Sequence, residues 1–296
     1  MAERPGNIDT LRGFLFALTA YLLWGGLPLY MKALDHVPPA EVVAHRILWS
    51  LPVAGVILWM LGRTGDLRAA LGNPRMLGMA TVTAAFITIN WGLYVYSISS
   101  GQALEAALGY FINPLFSIFL GRVLLGERLS GLQWGAIALA AAAVAALTIE
   151  AGRLPLVAIG LTLSWGLYAY FKKSLPIGPN QGFTLEVLIL TPFALAFVAW
   201  TWATGTPHFG QGVLTDDLLL IGCGIVTAIP LMIYANGAKL LRLQTIAMMQ
   251  YIAPTAIFLT AVFIFDEPLE GARVVAFPMI WAALGLYSWG MLRGRA

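Results

Sequence analysis

The sequence predicts an all-α integral membrane protein of ten transmembrane helices, arranged as two inverted five-helix repeats. Three observations carry this. First, 59% of the 296 residues are hydrophobic and only 10% are charged, with a mean hydropathy of +0.81, whereas a soluble domain carries about 25% charged residues. Too little polar surface exists to cover a globule in water, so the bilayer is the expected solvent. Second, the apolar residues fall into ten runs of about 20 residues, the length that crosses a hydrocarbon core. Third, the chain repeats itself at a shift of 140 residues.

The ten runs are, in order, 13–34, 40–61, 76–98, 103–125, 131–149, 154–173, 183–203, 215–237, 244–265 and 271–291. A polar tail, 1–12, precedes the first run, which is too long for a signal-peptide core and reads as a retained helix. The fifth run, GAIALAAAAVAAL, is built of small residues and reads as a close-packing face. The gaps carry Gly, Pro, Asp and Arg, as turns do, and leave no room for a soluble domain.

The net charge is +3. The basic residues sit in the gaps, which marks them as topology determinants and not as a nucleic-acid surface. With a cytoplasmic amino terminus, 13 of the 17 Lys and Arg fall inside and 3 outside, Arg46 lying within a helix. Both termini are therefore expected in the cytoplasm. The single cysteine, Cys223, allows no internal disulfide.

The repeat pairs Pro52 with Pro192, Tyr94 with Tyr234, Pro114 with Pro254, Glu127 with Glu267 and Gly131 with Gly271. At a shift of 141, Trp24-Gly25 pairs with Trp165-Gly166 and Lys32 with Lys173. The halves are 13–149 and 154–291. Five helices is an odd number, so the second half enters the membrane upside down. Inverted halves with a solute site between them are a common transporter plan.

Within that plan a few polar residues stand out. His45 and Arg46 lie in the second run, where a charge costs about 2.5–3.5 kcal/mol at the helix centre. The repeat places Glu186 opposite Arg46, each six residues before its helix proline. One reading has Arg46 and Glu186 facing a shared cavity; the other has both snorkelling to headgroups. Asn90, Tyr94 and Ser97 share one face of the third run, and Tyr110, Asn113 and Ser117 one face of the fourth. Tyr234, Asn236, Gln250 and Tyr251 occupy the eighth and ninth. Such stripes are either hydrogen-bonding glue between helices or the lining of a pathway. Trp24 and Trp165 sit mid-run, as an aromatic lining for a planar or cationic solute or as tilted interface anchors. Pro28, Pro52, Pro114, Pro192, Pro230 and Pro254 interrupt helices, as hinges or as static kinks. Glu127 and Glu267 read as matching structural turn elements.

No G-x-S-x-G, H-E-x-x-H or P-loop signature is present. The three histidines, His36, His45 and His208, are scattered along the chain and predict no metal site, and no cofactor is expected.

The segments WGGLPLYMKAL, AHRILWSLP, NWGLYVYSISSGQALEAALGYFINPL and MMQYIAPTAIFLTAVFIFDEPL resemble the RarD branch of the EamA transporters, in the drug/metabolite transporter superfamily. The likeness spans nearly the whole chain, and the third segment is its most specific part. It implies ten helices, two EamA repeats, cytoplasmic termini and a bacterial inner membrane. Members of the branch are known as chloramphenicol-sensitivity proteins and regarded as permeases. The expectation is a secondary transporter that exports small metabolites or drugs by alternating access, in contact with its solute and with lipid, as a monomer or a homodimer. Arg46 would hold an anionic group or stabilise a cavity carboxylate; Glu186, or His45 as the side chain that titrates nearest neutrality, would carry a coupling proton. Uptake is the alternative within transport; a membrane-embedded enzyme or a scaffold lies outside it.

Overall fold

A computed structural model describes residues 10–125, 130–173, 175–238, 240–241, 245 and 249–293. Among them every regular element is a helix: α1 (Leu11–Lys32), α2 (Pro39–Met60), α3 (Thr64–Leu71), α4 (Pro74–Ser99), α5 (Ala103–Leu125), α6 (Gly131–Ala151), α7 (Leu156–Lys173), α8 (Pro179–Thr204), α9 (Leu214–Ala238), α10 (Ile252–Phe263) and α11 (Ala272–Arg293). Seven of these, α1, α2, α4, α6, α8, α9 and α11, are long and apolar enough to cross a membrane. Helices α7 and α10 are apolar but shorter.

The helices begin where short polar side chains can satisfy the free N–H groups of a first turn. Thr10 Oγ1 accepts from Gly13 N at 3.0 Å, and Asn73 Oδ1 from Met76 N at 3.1 Å. Ser130 and Gln133 form a reciprocal capping box on α6. Proline stands at the start of α2, α4 and α8, where its missing N–H costs nothing. One cap reaches across the chain: Glu267 accepts from Ala103 N at 2.6 Å and from Leu104 N at 2.9 Å, closing the first turn of α5.

Two features depart from the sequence reading. The gap between the second and third runs holds the eight-residue helix α3, with Asp66 in its first turn and Arg68 in its last, the polarity that the helix dipole favours. Pro254 lies in the first turn of α10, just after the turn at 250–251, a position that tolerates proline. Pro28, Pro52, Pro114, Pro192 and Pro230 do lie inside helices, as does Pro278. Glu127 and residues 1–9 lie outside the described residues.

Helix α1 packs on α9 and α10, α2 on α8 and α9, α7 on α4 and α5, and α6 on α11. The closest approaches depend on glycine. A Cβ on Gly224 in α9 would collide with the backbone carbonyl of Trp49 in α2, and one on Gly109 in α5 would sit 2.7 Å from the Ala158 carbonyl oxygen in α7. The outer faces carry large apolar side chains, such as Trp59 at 75% exposure and Phe193 at 72%. That surface is costly in water and free of cost in lipid.

Candidate functional site

Seven helices and the residues just before α10 converge on a cavity of about 130 Å³, many times the roughly 10–15 Å³ that one water needs. Its wall takes Tyr21, Trp24 and Leu27 from α1, Arg46 from α2, Asn90, Trp91 and Tyr94 from α4, and Tyr110 and Asn113 from α5. Trp165 comes from α7, Thr227, Leu231 and Tyr234 from α9, Gln250 from the approach to α10, and Ala253, Pro254 and Ile257 from α10.

Arg46 is the charge in this wall and is only 3% exposed. Its Nε donates to Thr227 Oγ1 at 3.1 Å, and its guanidinium lies 5.0 Å from the centre of the Trp91 ring. Both contacts offset part of the cost of burial, the second through the ring quadrupole. Its Nη1 has no hydrogen-bond partner among the described residues. Among the described residues no carboxylate pairs with it, and none lines the cavity. Tyr94 Oη and Asn113 Oδ1, in the same wall, are likewise unpartnered.

Asn90 is spent on the scaffold. Its Nδ2 donates to Leu161 O at 3.2 Å and to Ser164 Oγ at 3.0 Å, and its Oδ1 accepts from Tyr110 Oη at 3.1 Å. It thereby ties α4 to α7 and α5. Aromatic rings make much of the rest of the wall. Trp24 lies 5.6 Å from Tyr21, 5.4 Å from Tyr234 and 6.5 Å from Trp165 between ring centres, in edge-on or tilted pairs.

Of the sequence candidates, Trp24, Arg46, Asn90, Tyr94, Tyr110, Asn113, Trp165, Tyr234 and Gln250 come together at this one place. Glu186 and His45 are not in the wall. Glu186, 1% exposed, accepts from Lys172 Nζ at 2.6 Å and from Tyr168 Oη at 3.3 Å. Glu186 does not share the Arg46 cavity; Lys172, on the neighbouring helix α7, supplies the charge that this carboxylate needs. His45 turns its Nδ1 to Trp49 Nε1, 3.1 Å away, and packs on Phe209 with ring centres 4.8 Å apart. Ser97 and Asn236 bond to their own helices, at Tyr94 O and Met232 O, and Ser117 is exposed.

Tyr21, Trp91 and Thr227 were missed as lining residues, although each shares a helix face with a residue that was found: Tyr21 three before Trp24, Trp91 three before Tyr94, Thr227 seven before Tyr234. The histidines, far apart in sequence, gather around the segment joining α8 to α9. His208 pairs with Glu41 at 2.8 Å, His36 with Asp216 at 3.1 Å, and the His36 and His208 rings lie 6.4 Å apart. Among the described residues no group of three or more side chains could hold a metal ion.

Comparison with known proteins accords with this architecture. The model of the EamA-like transporter family matches residues 11–149. Protein RarD of Streptomyces exfoliatus is 40% identical over 281 residues, 95% of this chain and 89% of that one. An "Uncharacterized transporter" of Vibrio cholerae is 36% identical over 288 residues, 97% of this chain and 95% of that one. A solved crystal structure shares the fold, with a TM-score of 0.61 at 21% identity, over 96% of this chain and 99% of that one. A multi-pass helical membrane protein with a cavity walled by seven of its helices, this chain belongs to the EamA-like transporter family as a RarD-type member.

Proposed function

We propose that the protein is a secondary transporter that exports small metabolites or drugs by alternating access, from two inverted five-helix halves. The observation that carries this reading is the cavity, whose wall draws Arg46, Tyr94 and Tyr110 from one half and Trp165, Thr227 and Tyr234 from the other. A buried charge that no described carboxylate balances is expensive, and inside a membrane it marks a solute or ion pathway. The helix pairings support the inverted plan: α1 sits on α9 as α7 sits on α4, and α1 on α10 as α7 on α5, while α2–α8 and α6–α11 each pair like with like. A two-fold axis in the membrane plane relates these pairs.

In this reading both termini are cytoplasmic in a bacterial inner membrane, and export is coupled to protons. Glu186 is the favoured proton carrier, because its protonation would release the contact with Lys172. Catalysis has no part in the reading.

Liposome flux is the test. Everted vesicles loaded with a pH gradient should take up a transported solute, and a protonophore should stop uphill movement. Arg46→Ala should lower flux at least tenfold in protein that still inserts. Glu186→Gln should lose uphill movement but keep solute exchange at equal pH on both sides. Normal flux in Arg46→Ala would sink the cavity reading, and uphill movement by Glu186→Gln would sink the coupling assignment.

A further inference from the structure

We infer that the cavity selects small organic anions, a carboxylate or similar group on a planar apolar body, and disfavours solutes carrying a positive charge. The inference rests on the transport reading only in taking this cavity as the solute site.

The polar lining of the cavity presents two unpartnered donors, on Arg46 and Tyr94, and one unpartnered neutral acceptor, Asn113 Oδ1, among the described residues, so its only full charge is positive. Arg46 Nη1 is buried and unpartnered, and its charge meets no carboxylate in the wall. The Tyr94 hydroxyl, also unpartnered, supplies a neutral donor beside it. Thr227 and Trp91 hold the guanidinium through Nε and through its face, which leaves Nη1 without a partner among the described residues. A guanidinium and a hydroxyl offer charge-assisted hydrogen bonds to an oxyanion, and in a buried site such bonds are strong because water does not compete. An entering anion would also neutralise the charge that the empty site leaves buried.

Much of the remaining wall is aromatic. Trp24, Trp165 and Tyr234 are set around one space, which fits a flat apolar body. No acid among the described residues of the wall balances an ammonium group, and Glu186, outside the wall, is already paired with Lys172. A zwitterion or an amine would place its positive charge in a cavity whose only formal charge, among the described residues, is Arg46.

Binding to the purified full chain in nanodiscs tests this separately from transport. The probes are benzoate, phenylacetate and indole-3-acetate, each beside its neutral amide and its amine analogue, together with phenylalanine as the zwitterion. Quenching of the cavity tryptophans or calorimetry reads the affinity. At least one acid should bind ten times more tightly than its amide and its amine, and more tightly than phenylalanine. Arg46→Gln should remove that preference and leave amide affinity within about twofold, and Arg46→Lys should restore part of it. Tyr94→Phe, which removes one hydroxyl and keeps the ring, should weaken acid binding alone. If no acid in the panel exceeds its amide, or if an amine or phenylalanine binds at least as tightly as the acids, the inference is overturned; the same follows if Arg46→Gln keeps the preference. An acid that binds as stated but does not cross liposomes would count against the transport reading and leave the selectivity standing. Flux of amines with no acid binding would do the reverse.

Discussion

Two buried basic residues have opposite fates, and their neighbours decide which. Lys172 meets Glu186 at 2.6 Å, with side-chain exposures of 19% and 1%, and is spent on holding α7 to α8. Arg46 meets only a hydroxyl and a ring and stays available. Breaking one partner of a buried pair costs about 3–5 kcal/mol, whereas replacing both with apolar groups is often neutral. Lys172→Met should therefore lower thermal stability sharply, and Lys172→Met with Glu186→Leu should recover most of the loss. A double-mutant cycle on detergent-solubilised protein reads this coupling; additive losses would mean that the pair is not coupled. For Arg46 the expectation is the opposite: loss of solute handling with little loss of fold. Arg46 itself was legible in the sequence, since a charge inside an apolar run is a local feature. Its freedom was not, because that depends on Glu186 being taken by a residue 14 positions earlier in the chain.

At the scale of the element, ends and crossings do most of the work. Glu267 caps α5 from the turn after α10, accepting two backbone N–H bonds. Glu267→Ala removes both and should cost about 0.5–2 kcal/mol, read as faster hydrogen exchange at the start of α5. Loss of protection spread evenly over the protein would argue against a local cap. The sequence marked Glu267 as a structural turn residue but could not show which helix it closes, 164 positions away. Glu41 plays a comparable part on α2. It accepts from His208 N at 2.8 Å and pairs with the His208 ring, pinning the segment between α8 and α9 so that Phe209 covers His45. Glu41→Gln should loosen that segment, with exchange rising at 207–211 and the membrane helices unchanged. Gly224 sets the α2–α9 crossing. Gly224→Val should separate the two helices and, because Arg46 and Thr227 lie on them, disturb the cavity as well as stability.

For the whole molecule, the proposed inverted topology makes a prediction that needs no ligand. Cys223 is buried and the chain has no other cysteine, so engineered thiols report cleanly. In intact cells, Ser100→Cys and Gly212→Cys should react with an impermeant maleimide, while Arg63→Cys should react only after lysis. The reverse pattern would place the termini outside and overturn the charge-based orientation.

By itself the sequence determined the solvent and the seven long apolar spans. Hydrophobicity over about 20 residues is a local sum, which is why the run borders and the observed helix ends differ by only a few residues in most cases. It also nominated the cavity wall, because polar residues spaced at three, four and seven share a helix face whatever that face meets. The tertiary structure alone decided which faces meet. It joined Arg46 to Trp91 and Thr227, gave Glu186 to Lys172, and gathered three distant histidines at one end. The physical reason is that a partner is chosen by distance in space, after helices pack, and a helix carries the same periodicity whichever neighbour it finds.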